Sequence, residues 1–192
     1  MDDDAMGRFP VPDREALPED IRERIDEETE RAGFTPNVFA AFAYKPSHFR
    51  AFFAYHDALT EDTPLAREEV EMLVVTVSGI NDCLYCVVAH GALLRIFADA
   101  PTLADQLATN HRLADLSDPH RAMLDFAAKL TETPGRVDDD DLETLRAAGF
   151  SGAEIWDIAS VVSLFNLSNR MATVADMRPN DVFYTMGRGD DA

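Results

Sequence analysis

Asp82-Cys83-Leu84-Tyr85-Cys86-Val87-Val88-Ala89-His90 holds both cysteines of the chain, three positions apart, and a histidine four positions after the second. On a helix, residues three and four apart are neighbours on one face. Cys83, Cys86 and His90 therefore line one edge of one helix. A dithiol so placed can lose protons, attack a substrate and close into a disulfide. This reading requires a helix from Cys83 onward, and the segments around it read as helix too.

Just before it, Gly79-Ile80-Asn81-Asp82 carries turn-favouring residues. Asp82 suits the cap of the next helix, with Cys83 in the first turn, where unpaired amides favour an anion and make a thiol more acidic. If the flanking helices pack antiparallel, the hairpin centre falls near Ile80 and Asn81. Glu71 and His90 then stand at the same height on facing helices. In one straight helix Glu71 and Cys83 would be roughly 18 Å apart at the helical rise of 1.5 Å per residue. The expected site is an ordered line of carboxylate, imidazole and thiol. Glu71 orients His90 and makes it a better base. His90 takes the proton of Cys86, and Cys83 resolves the oxidised Cys86 into a disulfide. Helical neighbours lie within the Cα separation of about 4.4–6.8 Å that disulfides require. Tyr85 reads as a packing residue whose hydroxyl can also line the site. His48, His56, His111 and His120 show no comparable partners in the sequence and read as structural or exposed.

The rest of the chain reads as helical nearly throughout, which predicts an all-α fold. Pro18 and Gly33 bracket a first helix; Pro36, Pro46, Pro64 and Pro101 suit further helix starts. Ser117-Asp118-Pro119 opens a segment running to about Leu130. The run Asp138 to Asp141 suits either a helix N-terminus closed by Gly149 or a solvated loop. Ser151 caps an apolar-rich segment from Ala153 to about Ala175. Val74-Val75-Thr76-Val77 has a strand-like composition, but its helical flanks place it in a helix. Glu68 to Ile80 resembles Glu154 to Asn166, and Asn169 and Ala172 then stand where the first copy has Cys83 and Cys86. This is either an old duplication with one active half or a chance likeness of two amphipathic helices. One compact domain is expected over residues 1–192, with an extended N-terminal arm at 1–16 and a flexible tail at 184–192.

Of the 192 residues, 46% are hydrophobic, enough for a sizeable core, and 36 acidic against 17 basic side chains leave a net charge of −19. Such a surface repels nucleic acid and anionic membranes. No apolar run reaches the length of about 18 residues that spans a bilayer. The acidic start Met1-Asp2-Asp3-Asp4 is the opposite of a signal peptide's positive one. Two cysteines are too few for a secreted disulfide framework. The expectation is a soluble cytoplasmic protein.

Glu71, eleven residues, Cys83-Leu84-Tyr85-Cys86, three residues and His90 together resemble the signature of alkylhydroperoxidase D. That family is the all-helical carboxymuconolactone decarboxylase superfamily. Gly33-Phe34-Thr35-Pro36-Asn37-Val38-Phe39 resembles the opening segment of its peroxidase-related branch. Gly149-Phe150-Ser151 with Glu154-Ile155, and Phe165-Asn166-Leu167-Ser168-Asn169-Arg170, resemble that branch's C-terminal half. The resemblance implies a compact multi-helix bundle with the CxxC at the N-terminus of a central helix. It implies a thiol-dependent peroxidase or disulfide reductase with no cofactor. The hydroperoxide substrate would be served by a dithiol or protein reductant, and the assembly would be a homo-oligomer, a trimer or a hexamer. Family members activate the second cysteine through a histidine and a glutamate, which correspond to Cys86, His90 and Glu71. Tyr85 stands where alkylhydroperoxidase D has a histidine, so the relay has one imidazole fewer. The decarboxylase that names the superfamily lacks the cysteine pair, which argues against decarboxylation.

Two other readings fit the residues. Cys83, Cys86 and His90, with Glu71 as a fourth ligand, could form a zinc site. Alternatively, a non-catalytic assembly protein could use the aromatic-rich stretch Phe39, Phe42, Tyr44, Phe49, Phe52, Phe53 and Tyr55 as an interface rather than as core.

Aspartate outnumbers glutamate, and Lys45 and Lys129 are the only lysines. This pattern reads as adaptation to a very salty cytoplasm, where salt screens the self-repulsion. The Debye length falls from about 30 Å at 0.01 M to about 3 Å at 1 M. The melting temperature should therefore rise from dilute buffer to molar potassium chloride. A flat or falling curve removes the salt-adaptation reading.

Overall fold

The computed structural model describes residues 4–188. Among them the chain forms ten α-helices: α1 Glu19–Ala32, α2 Asn37–Ala43, α3 Pro46–Glu61, α4 Arg67–Ile80, α5 Leu84–Phe97, α6 Leu103–Asn110, α7 Asp118–Glu132, α8 Asp139–Ala147, α9 Gly152–Ala175 and α10 Val182–Thr185. The fold is all-α, and Val74 to Val77 lie inside α4.

The helix ends follow local chemistry. Gly33 ends α1 at φ 81°, a left-handed turn that glycine enters without cost. The Ser117 side chain accepts from the His120 amide and caps α7. Asp138 and Asp141 form a reciprocal capping box on α8, so the acidic run is a helix start. Ser151 and Glu154 do the same for α9. Pro36 and Pro46 sit at helix starts. Pro64 and Pro101 instead lie in the loops before α4 and α6. At α4 the start is fixed by the Glu69 carboxylate, which accepts from the Ala66 amide at 2.8 Å.

Helix α4 is the centre. Every residue from Val70 to Ser78 is buried, as expected of a helix surrounded on all sides. It packs against α5, α6, α7 and α9. Gly79 belongs to α4 rather than to the turn after it. A Cβ there would lie 2.3 Å from the Ala108 carbonyl oxygen, so glycine is what lets α4 and α6 close up. The phenylalanines Phe39, Phe42, Phe49, Phe52 and Phe53 of α2 and α3 are core, with Phe39 stacked on Phe53 at 4.3 Å between centroids. Tyr44 and Tyr55 of the same stretch are exposed.

The N-terminal segment is pinned to the end of α9. Met6 pairs antiparallel with Met177, and Gly7 donates to the Asp176 carbonyl at 3.0 Å. Residues 1–3 of the expected arm lie outside the described residues. At the other end, the Arg95 guanidinium donates to the Phe183 and Met186 carbonyls at 2.8 and 2.9 Å, and Arg188 pairs with Asp105 at 3.1 Å. Residues 184–188 of the expected tail are thereby tied to α5 and α6, and 189–192 lie outside the described residues. No helix among the described residues is long and apolar enough to cross a membrane.

The Gly79 contact yields a stability test. Gly79→Ala should cost about 1–3 kcal/mol through overpacking against α6. Gly135→Ala, where an added Cβ meets nothing within 4 Å, should stay within about 0.5 kcal/mol of the parent. Urea unfolding of the two variants measures the difference.

Candidate active site

The site is set by how α4 stops. The Asp82 amide donates to the Gly79 carbonyl at 3.1 Å and the Cys83 amide to the Ser78 carbonyl at 2.9 Å. These are the two bonds of a Schellman motif. Its left-handed position is filled by Asp82 at φ 51°, a conformation aspartate tolerates better than most residues. Asp82 therefore does not cap α5, contrary to the sequence expectation; it turns the chain. Cys83 takes the N-cap position itself, and Cys86 falls in the first helical turn.

Both cysteines are free thiols and both are buried. The Cys83 thiol is pulled below its ordinary value, first by the hydrogen bond from Cys86 and then by the Cys86 amide, Asn169 and the Tyr85 amide, against the effect of burial. The Cys86 thiol is pushed well above its ordinary value, first by its bond to Cys83, then by burial and the charge on Cys83; Asn169 and Ser168 oppose this. The pair thus loses a first proton readily and holds the second. Of the two thiols, Cys83 is the more acidic.

Glu71 and His90 meet as the hairpin predicts. His90 Nδ1 lies 2.8 Å from one Glu71 carboxylate oxygen, and Arg67 approaches the other at 3.1 Å from one turn earlier on α4. Glu71 is 1% exposed. The Arg67 guanidinium also lies 5.2 Å over the Phe97 ring. With Nδ1 engaged, His90 has Nε2 free, one helical turn beyond Cys86. Tyr85 is buried, and its hydroxyl accepts from the Val38 amide at 3.1 Å, tying α5 to α2. Burial, and secondarily the neighbouring sulfurs, push this phenol to far lower acidity.

Cys86, His90 and Tyr85 face a cavity of about 580 Å³, walled by phenylalanines that include Phe39, Phe52, Phe53 and Phe165. Cys83 is not among its lining residues. Access therefore favours Cys86, while acidity favours Cys83.

Several residues beyond the expected set belong to this site. Asn169, 1% exposed, donates to the Ser78 hydroxyl at 3.0 Å, accepts from Asn81 at 2.9 Å and hydrogen-bonds both sulfurs. The faint internal repeat had set it opposite Cys83, which was the one available hint. Arg67 was readable as the residue four before Glu71. Of the four histidines read as structural or exposed, three have acidic partners. His56 pairs with Asp57 at 3.1 Å, His111 with Asp125 at 3.0 Å and His120 with Glu69 at 3.5 Å. The first pair was hidden because adjacent residues do not face each other on a helix; the other two join separate elements. His48 lines an apolar groove elsewhere. No group of three or more His, Cys, Asp or Glu side chains among the described residues is arranged to hold a metal ion, so the zinc reading lacks its ligand set.

If Asn169 stabilises the thiolate, Asn169→Ala should raise the apparent pKa of the first thiol ionisation by about one unit, the equivalent of one hydrogen bond to a charged group. The pH dependence of iodoacetamide alkylation in the folded variant measures it. An unmoved inflection removes Asn169 from the thiolate's support.

The carboxymuconolactone decarboxylase family model matches residues 46–115, the span that carries Glu71, Cys83, Cys86 and His90. A peroxidase-related protein with an alkylhydroperoxidase AhpD core from Ralstonia eutropha JMP134 is 53% identical, with 96% of this chain and 97% of that one covered and a TM-score of 0.93. A peroxidase-related protein from Silicibacter sp. TM1040 is 38% identical, with 96% of each chain covered and a TM-score of 0.89. The debrominase Bmp8 shares the fold alone, at 16% identity, 88% and 90% coverage and a TM-score of 0.70. No curated protein matches the chain. A buried Glu–CxxC–His constellation on a fold shared over nearly the whole chain with these peroxidase-related structures places the protein in the carboxymuconolactone decarboxylase family, among its AhpD-like members.

Proposed function

We propose that the protein is a thiol-dependent peroxidase that reduces organic hydroperoxides with the Cys83–Cys86 dithiol. The observation that carries this reading is the cavity: Cys86 and a carboxylate-held His90 both line it, together with phenylalanines and with charged side chains that include Arg24, Asp57 and Glu61. His90 draws one proton from the pair through Cys86, the member on its own side. The remaining proton is shared between the sulfurs, so charge moves to Cys86 when that proton sits on Cys83. The Cys86 thiolate attacks the peroxide and becomes a sulfenic acid, and Cys83 condenses with it to a disulfide. A dithiol carrier then re-reduces the pair in a reducing cytoplasm. The peroxidase-related relatives at 53% and 38% identity support the same chemistry.

A homo-oligomer is part of the proposal. An apolar groove of about 640 Å³ lies between α3 and α9. Phe9, Tyr44, Tyr55, Leu167, Met171 and Val174 are all exposed along it. Its lining includes no carboxylate in a chain of net charge −19, so a second acidic copy meets the least repulsion there.

A thiol count before and after one equivalent of cumene hydroperoxide tests the redox cycle. Loss of both thiols, restored by dithiothreitol, is expected. Cys86→Ser should abolish peroxide consumption, whereas Cys83→Ser should leave a sulfenic acid trappable with dimedone. Consumption retained by Cys86→Ser and lost by Cys83→Ser reverses the two roles, and unchanged thiols in the parent protein remove the peroxidase reading.

A further inference from the structure

A second imidazole–carboxylate pair faces the same cavity. His56 and Asp57 of α3 both line it, and His56 Nδ1 lies 3.1 Å from the Asp57 carboxylate. Asp57 is held ionised, first by His56 and then by Arg24 of α1, against partial burial. Arg24 approaches Asp57 at 3.0 Å and is itself balanced by Glu28 at 3.0 Å. Phe165 stands between the two histidines: its ring centroid is 4.8 Å from that of His90 and 6.5 Å from that of His56. Phe52 and Phe53 flank the His56 ring at 6.3 and 6.2 Å. The charged and titratable groups around His56 are Asp57 and Glu61 on its own helix, Arg24, Glu28 and Arg31 on α1, Arg67 on α4, and His90 with Glu71 beyond Phe165.

We propose that His56 is the general acid that protonates the departing oxygen when the peroxide bond breaks. The inference rests on the peroxidase reading above. A thiolate attacks a peroxide in line with the O–O bond. An electron pair of Cys86 forms the S–O bond to the terminal oxygen, the O–O bond breaks, and its electron pair leaves on the alkoxide oxygen. That oxygen therefore sits on the side away from the sulfur and away from α5, which also carries His90. A proton donor held on that side can deliver its proton as the bond breaks rather than after it. His56, held by Asp57 through Nδ1, has Nε2 left to give a proton to the alkoxide, and the product is the alcohol. Cys86 is oxidised to the sulfenic acid. Cys83 then displaces the sulfenic oxygen as water and forms the S–S bond. The alcohol takes its proton from the protonated His56 ring, the proton that His90 drew from the dithiol restores that ring, and the Cys83 proton leaves in the water. Asp57 is a positioning residue: it fixes the ring and carries its counter-charge.

A leaving-group comparison tests this. An alkoxide is a poor leaving group and needs a proton as the bond breaks. A carboxylate leaving from a peracid does not. Thiol oxidation should be followed in a single turnover of the reduced full-length chain, with tert-butyl hydroperoxide and with 3-chloroperoxybenzoic acid. His56→Gln should slow the alkyl hydroperoxide about 10²-fold, the usual size of a general-acid contribution, and the peracid by less than about threefold. Asp57→Asn, which keeps both rings of the chamber, should show the same selectivity to a smaller degree. Equal slowing of both oxidants in both variants assigns His56 a packing role and overturns the proposal. So does an alkyl hydroperoxide rate unchanged in His56→Gln. Parent protein inert to both oxidants would instead overturn the peroxidase reading, and the His56 assignment with it.

Discussion

Glu71 is a carboxylate at 1% exposure in the middle of the most deeply buried helix. Burying an unpaired charge costs far more than a folded domain's net stability can absorb, so the group must be paired or neutralised. Arg67 at 3.1 Å and His90 at 2.8 Å are its two partners. Removing one partner of a buried pair costs about 3–5 kcal/mol, so the pairing constrains where α5 can lie. The Schellman turn at Asp82 delivers that placement by folding α5 back along α4. The centre of the fold and the centre of the site are consequently one object. A chain that failed to bring His90 to Glu71 would lose its core helix along with its chemistry.

The two sulfurs divide the work that a single reactive cysteine would carry alone. Cys83 is the more acidic thiol, first through its bond to Cys86 and then through the helix-start amides and Asn169, yet it does not line the cavity. Cys86 reaches the cavity, but its own ionisation is opposed by Cys83 and by burial. A thiolate stabilised so strongly is also a weaker nucleophile, because nucleophilicity falls as thiol acidity rises. In the proposed cycle, a more acidic inner sulfur paired with a less acidic one facing the cavity answers both demands.

Much of this was legible in the sequence because it depends on short, regular spacings. The capping residues Ser117, Asp138 and Ser151 marked helix starts, and Gly33 marked a helix end. The Glu71–His90 contact followed from counting out equal distances from a turn. What was not legible depends on contacts between distant elements. Gly79 looks like a turn residue until α6 is laid against it. Asp82 looks like a cap until its left-handed backbone shows it to be the turn, with Cys83 as the cap. The docking of the N-terminal arm was not legible either, because Met177, the partner of Met6, is nearly the whole chain away. His56 and Asp57 are adjacent in sequence, where helical periodicity gives no reason to expect them to meet.

Tyr85 bears on how protons move in this site. Its hydroxyl is engaged by the Val38 amide, which anchors α5 to α2, and burial makes the phenol a still weaker acid. A group so held and so reluctant to ionise cannot replace the imidazole found at this position in alkylhydroperoxidase D. The position has been given over to packing, and the proton traffic must use the remaining groups of the chamber. His90 with Glu71 serves the sulfur side. The chamber's other imidazole with its own carboxylate partner is His56 with Asp57, on a different helix and across Phe165. With Tyr85 engaged in packing, the proposed proton delivery to the departing oxygen falls to this facing wall rather than to the thiol helix.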